Sequence, residues 1–274
     1  MAEWFLPKEQ MGVRFPSLAQ PILRLRNMKL ITLNIWGGKV FKSLTDFLEK
    51  NAEDTDIFCF QEVFNNPPDV KSQFQTWGAK EDIYKDIARA LKDFDGHMAP
   101  SQDGEESLCM FVKKNLGVWE IADQFVYRWK NAMEGDDGST AGINVQYLKF
   151  NSEKKDFMVC NLHGHWTPNV KRDNPARLEQ SQNIRKLLDS FKGAKILCGD
   201  FNVDPDTKSM EILETSMRNL VTEYKVTTTR STLYLKKGTP ICDYILVSPE
   251  IQVKKFGVIE DAVSDHLPLY LDFN

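Results

Sequence analysis

The chain has 274 residues, 42% of them hydrophobic and 27% charged, and its 35 lysines and arginines stand against 39 acidic residues for a formal net charge of −4. That size and apolar content are enough for a core without disulfide staples or an obligate partner. The acidic balance excludes a protein that coats nucleic acid through a uniformly basic surface, so any basic patch is local or the substrate is small.

Residues 1–27 carry Phe5 and Leu6, then Pro7, Lys8, Glu9 and Gln10, which is no apolar signal core. They read as a loosely structured extension preceding one domain from Met28 to Asn274. No run approaches the ~20 apolar residues of a membrane span. Leu30–Ile35 is a near-continuous apolar run and reads as a buried strand. Ser43–Asn51 places Leu44, Phe47 and Leu48 at helical spacing, with Ser43 as the expected cap. Ile57–Gln61 is a second buried strand, and Ile83–Leu91 an amphipathic helix with Ile83, Ile87, Ala90 and Leu91 on one face. Leu108–Val112 follows as a strand, and Gln124–Ala141 reads as a loop around Gly135, Asp136, Asp137, Gly138 and Ser139. Gly142–Phe150 and Asp156–Leu162 alternate like a hairpin across the polar turn Asn151–Lys155. Pro175–Phe191 is a helix with Leu178, Ile184, Leu187 and Leu188 inward. Lys195–Cys198, Ile241–Ser248, Val253–Ile259 and Leu267–Leu271 complete the strands.

Five cysteines, Cys59, Cys109, Cys160, Cys198 and Cys242, all sit in strand-like runs and form no CxxC pair. They read as reduced core thiols, which points to a cytoplasmic protein. A monomer is expected.

Polar residues gather where the apolar runs stop. Asn34 ends the first strand and Glu62 the second; Asp200 and Asn202 follow Ile-Leu-Cys-Gly; Asp243 lies among Cys242, Tyr244 and Ile245; Asp265 and His266 precede the last strand. Each fragment alone has a plainer reading. Asn34 and Gly199-Asp200-Phe201-Asn202 fit turns, Glu62 fits a strand exit, and Asp265 with His266 fits a surface ion pair. Together they call for a shared reason, because carboxylates are seldom buried unless paired or bound to metal. Oxygen donors in this number suit magnesium, with manganese as the alternative, over zinc.

The order of these motifs resembles the endonuclease/exonuclease/phosphatase superfamily, from Leu30 to Leu271. Leu33-Asn34-Ile35-Trp36-Gly37 resembles its opening asparagine motif and Gln61-Glu62-Val63 its glutamate motif. Cys160-Asn161-Leu162-His163 is similar to its Asn-Thr-His. Gly199-Asp200-Phe201-Asn202, Asp243-Tyr244-Ile245-Leu246-Val247-Ser248 and Ser264-Asp265-His266-Leu267-Pro268 match its later signatures. The sequence departs from the pattern at Gly164, where a leucine is commoner.

The resemblance implies an α/β (α+β) four-layer αββα sandwich, with two mostly antiparallel sheets face to face and helices outside. It implies a metal-dependent phosphoester hydrolase. Glu62, Asn34 and Asp265 would hold the cation, Asp200 would activate water, and Asn202 would donate to a phosphate oxygen. His163 and His266 would flank the phosphate, with Asp243 orienting His266. Glu106 is the candidate partner of His163, a surface glutamate being the plainer reading. Lys171, Arg172 and Arg177 are expected to meet phosphate as an alternative to a solvated helix start. Trp36 would stack on a base or serve as a core or rim aromatic, and His165 would line or cover the cleft.

The leading expectation is a magnesium-dependent phosphodiesterase or nuclease acting on nucleic acid or a nucleotide diester. Phospholipid head groups or inositol phosphates are the second substrate class. A catalytically silent binding protein of the same fold ranks last, because Glu62, Asp200 and His266 are all present.

Overall fold

The computed structural model describes residues 27–64, 78–102, 106–128, 142–168, 170–235 and 238–274. The expected extension 1–27 and the stretch 129–141 of the expected loop lie outside the described residues, except Asn27.

Strand β1 (Met28–Asn34) runs parallel to β2 (Ile57–Val63), and both faces of each are buried. That explains why they read as continuous apolar runs and not as alternating ones. Helix α1 (Phe41–Asn51) connects them and buries Leu44, Phe47 and Leu48. Its N-cap is Val40, which makes no side-chain cap bond, so Ser43 lies inside the helix and is not the cap. Helix α2 (Ile83–Ala90) follows. The strands β3 (Phe94–Pro100) and β4 (Ser107–Lys113) pair antiparallel.

Beyond β5 (Val118–Tyr127) come β6 (Ile143–Ser152) and β7 (Lys155–His163), the expected hairpin. Its two turn residues, Glu153 and Lys154, both have positive φ (54° and 67°), the backbone hand that matches strand twist. Helix α3 (Pro175–Asp189) has Pro at its start, and the Asn174 side chain caps it by accepting from the Arg177 N–H at 2.8 Å. Then come β8 (Ala194–Asp200), α4 (Lys208–Glu214), β9 (Arg218–Asn219), α5 (Leu220–Glu223), β10 (Asp243–Val247), β11 (Val253–Val258) and β12 (Leu269–Phe273).

The strands form two six-stranded sheets, ordered β11-β12-β1-β2-β4-β3 and β5-β6-β7-β8-β10-β9. In each, one neighbouring pair is parallel, β1 with β2 and β7 with β8, and the others are antiparallel. Leu30, Cys59 and Met110 point inward, with Cys59 against Cys198 of the facing sheet. Ile31, Leu33 and Phe58 point outward beneath Leu44 and Ile83, while Ile184, Leu188 and Met210 cover the second sheet. This is the expected helix–sheet–sheet–helix order. No helix among the described residues is long and apolar enough to cross a membrane.

The strands β3 and β5 were not anticipated, and Gln124–Tyr127 is strand where a loop was expected. Both are sheet edges. β5 has one half-wet face and β3 carries Asp95, Gly96 and Pro100, so neither shows clean apolar alternation. All five cysteines are buried and free.

Candidate active site

The topology collects the polar strand ends at one rim. β1 and β2 run parallel, so Asn34 and Gln61-Glu62 emerge side by side. β7 and β8 also run parallel, and His163 stands in register with Asp200. β10 runs the other way, so its first residue, Asp243, pairs with Asp200 as well. β12 is antiparallel to β1, which brings the Asp265-His266 turn to the same rim.

Local backbone then aims the side chains. Between Phe60 and Val63 the β2–β4 register slips, and Glu62 sits in that bulge at φ 56°. Such a bulge re-aims one side chain out of the pleat. Trp36 (φ 51°) and Asn202 (φ 55°) share the left-handed backbone, which costs roughly 1–2 kcal/mol for a non-glycine residue. Gly199, at φ 131°, has no room for a side chain, because a Cβ would lie 2.0 Å from the Leu162 carbonyl oxygen. A Cβ on Gly164 would lie 2.2 Å from the Phe201 carbonyl oxygen. The departure at Gly164 therefore lets two site-bearing turns touch, and its N–H donates to the Asp200 carbonyl at 2.7 Å.

Asp200 is 2% exposed and central. Its Oδ2 accepts from Asn34 Nδ2 at 3.2 Å and lies 3.9 Å from His163 Nε2 and 3.6 Å from His266 Nε2. Its Oδ1 accepts the Asn202 N–H at 2.9 Å. Burial pushes its carboxyl up, but His266, Lys171, His163 and Arg230 outweigh burial and hold it well below the carboxylate range.

Asn34 Nδ2 also donates to Glu62 Oε1 at 2.8 Å, while Asn34 Oδ1 accepts the Trp36 N–H at 3.0 Å. In this orientation the amide clamps two carboxylates together. Burial raises the Glu62 carboxyl, against the lowering by His163.

His163 Nδ1 pairs with Glu106 Oε1 at 3.1 Å, so Glu106 is a site residue and not a surface one. Burial opposes a proton on this imidazole, yet Glu106, Asp200 and Glu62 raise it to about 10. His266 Nδ1 contacts both Asp243 oxygens, at 2.8 and 2.9 Å, and Asp243 in turn accepts from Thr229 Oγ1 at 2.6 Å. Burial and Arg230 lower the His266 imidazole, and Asp243 with Asp200 raises it, the net direction being up. Asp265 Oδ1 lies 3.9 Å from His266 Nε2.

The donor atoms of Asp200, Cys242, Asp243 and His266 all lie within 4.8 Å of one another, a spacing able to hold a metal ion. Three of the four are already bound together, however, since Cys242 Sγ donates to Asp243 at 3.2 Å and Asp243 holds His266 Nδ1. The freer donors are carboxylate oxygens of Glu62, Asp200 and Asp265. A set of hard oxygens fits a hard divalent cation.

The expected substrate contacts fare less well. Arg177 is fully buried, donating from Nε to the His165 carbonyl (3.1 Å) and from Nη2 to Thr167 Oγ1 (3.1 Å) and the Val170 carbonyl (2.8 Å). It stitches its loop together and cannot meet substrate. His165 is 4% exposed, its ring edge-on to Tyr127 at 5.4 Å, so it is covered and does not line an open cleft. Arg172 pairs with Asp206 and stands 3.6 Å from Asp204. Trp36 is half-buried beside Asn34, with Lys39 Nζ 4.2 Å over its ring.

Two further basic residues reach the site, Lys171, which the sequence offered with Arg172 and Arg177, and Arg230, which it did not single out. Lys171 alone of its basic cluster reaches the site, at Asn202 Oδ1. Arg230 reaches His266 Nε2 from Thr-Thr-Thr-Arg-Ser, a run without apolar periodicity.

The chain matches the model of the endonuclease/exonuclease/phosphatase family over residues 31–266. No curated protein sequence matches it. Among solved structures it resembles a mannosyl-6-phosphatase of Bacteroides thetaiotaomicron at 18% identity and TM-score 0.68, covering 90% of this chain and 99% of that one. The catalytic domain of human nocturnin with a bound sulfate anion is 18% identical, with TM-score 0.60, over 92% of this chain and 94% of that one. A humanized D. rerio TDP2 is 13% identical, with TM-score 0.60, over 90% and 99%.

Proposed function

The chain belongs to the endonuclease/exonuclease/phosphatase family, a family of phosphoester hydrolases, and on that premise we propose that it hydrolyses a phosphoester by magnesium-assisted attack of water, with manganese as the alternative ion. The observation that carries the reading is the surrounding of one carboxylate oxygen. Asp200 Oδ2 has Asn34, His163 and His266 within 3.2–3.9 Å, at a rim where Glu62 and Asp265 supply further oxygens.

Glu62 and Asp265 are the proposed cation ligands. Asn34 joins them only with its amide turned over, which gives up the Trp36 N–H bond. A bound divalent ion supplies positive charge to the phosphate oxygens. The protein groups do the rest. Asp200, kept ionised, accepts a proton as the water oxygen bonds to phosphorus. His163, kept protonated by Glu106, gives its proton to the leaving oxygen as the bond from phosphorus to that oxygen breaks. His266, fixed by Asp243, borders the phosphate on the other side. Asn202 uses one amide hydrogen on the Gly164 carbonyl at 3.0 Å and offers the second to a phosphate oxygen.

The nucleic-acid diester expected from sequence relied on Lys171, Arg172 and Arg177 as a basic track. With Arg177 inside the loop and Arg172 on Asp206, that track is reduced to one lysine. Stacking at Trp36 is what still favours a nucleotide. A small phosphorylated molecule suits the site better, in keeping with the structurally similar mannosyl-6-phosphatase of Bacteroides thetaiotaomicron.

Chelation tests the scheme. Purified protein stripped of metal is expected to be inactive on phosphate monoesters, diesters, inositol phosphates and sphingomyelin. Magnesium should restore turnover of at least one of them. Undiminished turnover after exhaustive chelation would rule out the cation ligands named above.

A further inference from the structure

Two cations enter the site without hydrogen bonding to a carboxylate among the described residues. Lys171 arrives on the loop that Arg177 stitches together, and the Asp204 N–H holds the Lys171 carbonyl at 2.8 Å. Its ammonium ends on a neutral group, the amide oxygen of Asn202. Arg230 arrives from the opposite side, on a backbone bridge to His266. Its side chain is 10% exposed, and Nη1 lies against the imidazole Nε2 of His266. The carboxylate within ion-pair distance, Asp265, is 3.7 Å away, too far for a hydrogen bond. Arg230 Nε is buried with no hydrogen-bond partner among the described residues. Tyr234 packs its ring 4.3 Å from the guanidinium carbon and sets the plane of the group.

Burying a guanidinium this way is unfavourable unless an anion completes its hydrogen bonds. Its planar fork suits phosphate oxygens better than the imidazole it now faces. Both cations act on the Asp200 carboxyl, which places them around the point where water attack is proposed.

We propose that Lys171 and Arg230 are the two jaws of a phosphate clamp, and that the clamp selects a terminal phosphate, so that the substrate is a phosphomonoester. A monoester phosphate carries up to two negative charges over three unesterified oxygens, whereas a diester carries one charge over two. Two fixed cations, besides the groups that activate water, match the larger charge and the additional oxygen. This deepens the phosphoester-hydrolase reading of the same site and rests on it.

Two measurements test the clamp separately from that reading. In metal-free protein, inorganic phosphate is expected to raise the melting temperature of the wild type, and both Lys171→Gln and Arg230→Gln are expected to weaken that shift. With magnesium, the wild type is expected to favour p-nitrophenyl phosphate over bis(p-nitrophenyl) phosphate in kcat/KM. Arg230→Gln should then reduce the monoester value by about 10- to 100-fold, the weight of a charge-assisted hydrogen bond, and the diester value much less. Arg230→Lys keeps the charge without the fork and should fall between the two. Lys171→Gln, at a half-buried loop position, covers the case in which the arginine variant misfolds.

A wild type that prefers the diester, or an equal loss on both esters, overturns the monoester assignment. Absence of any phosphate-induced shift overturns the clamp itself. Failure to turn over either ester with magnesium or manganese counts against the hydrolase reading instead, and leaves the phosphate-binding arm to judge the clamp.

Discussion

The two imidazoles that flank Asp200 are held in opposite ways. His266 is caged, 4% exposed in its side chain, with both Asp243 oxygens on Nδ1 and Arg230 at Nε2, and Thr229 and Cys242 fix Asp243 from behind. His163 is more open, at 13%, and depends on one oxygen of Glu106. Asp243 leads β10 and reaches His266 just before β12, while Glu106 precedes β4 and reaches His163 at the end of β7, so both pairs join the two sheets. One corner is therefore held on several sides, and the other rests on a single charge pair. Rigidity suits a group that positions phosphate, and a charge held by one partner suits a group that releases a proton.

The largest expected effect lies where the corners meet. Asp200→Asn should lower kcat by roughly 10²–10⁴-fold, the usual weight of an acid–base group, with the melting temperature of the folded protein near wild type. Turnover within a factor of ~10 of wild type would remove Asp200 from the proton-transfer step.

The contrast itself is tested by the two orienting carboxylates. Asp243→Asn should reduce kcat by about 10²-fold or more, because His266 loses the acceptor that fixes its tautomer. Glu106→Gln should cost about 10-fold, since Asp200 and Glu62 also favour the His163 proton. A Glu106 variant worse than the Asp243 variant would invert the assignment of rigid and proton-releasing corners.

The pH dependence of the metal-free protein sharpens the same point. The His163 imidazole is raised to about 10, above its value of about 6.5 in an unfolded chain. Its contribution to stability is then complete below about pH 6.5 and is lost as pH rises through about 10. Glu106→Gln should accordingly destabilise the metal-free protein more at pH 6 than at pH 10.5 in urea melts. Equal destabilisation at both values would mean that Glu106 acts through packing and not through the proton.

Away from the histidines, Gly164→Ala should destabilise by about 1–3 kcal/mol, because the new methyl overlaps the Phe201 carbonyl. A neutral result by denaturant titration would show that the Asp200 turn shifts freely. The smallest effect belongs to the thiols. Burial raises Cys59, Cys109, Cys160 and Cys242, so the native protein should label slowly with iodoacetamide at pH 8 and fully after unfolding.

Much of this architecture was legible along the chain. The strands β1, β2, β8 and β10 lie where apolar runs placed them, because a strand covered on both faces has few polar positions to blur it, and β7 lies where the hairpin pattern placed it. The polar residues that end those runs stood out against them, and Asn34, Glu62, His163, Asp200, Asp243 and His266 converge as their order suggested. The edge strands β3 and β5 were hidden because an exposed face tolerates any residue.

Sequence alone thus determined which central strands would form and which carboxylates, amides and imidazoles would crown them, since both are properties of a few adjacent residues. Only the tertiary structure decided which basic groups face the site. Lys171 and Arg172 lie on one loop and Arg177 in the first turn of the helix after it, yet one enters the site, one turns to Asp206 and one is buried beneath the loop. Arg230 reaches His266 across 36 positions of sequence. A long flexible cation takes its direction from whichever acceptor the fold brings near it, and that acceptor is chosen by distant backbone and not by neighbours in the chain.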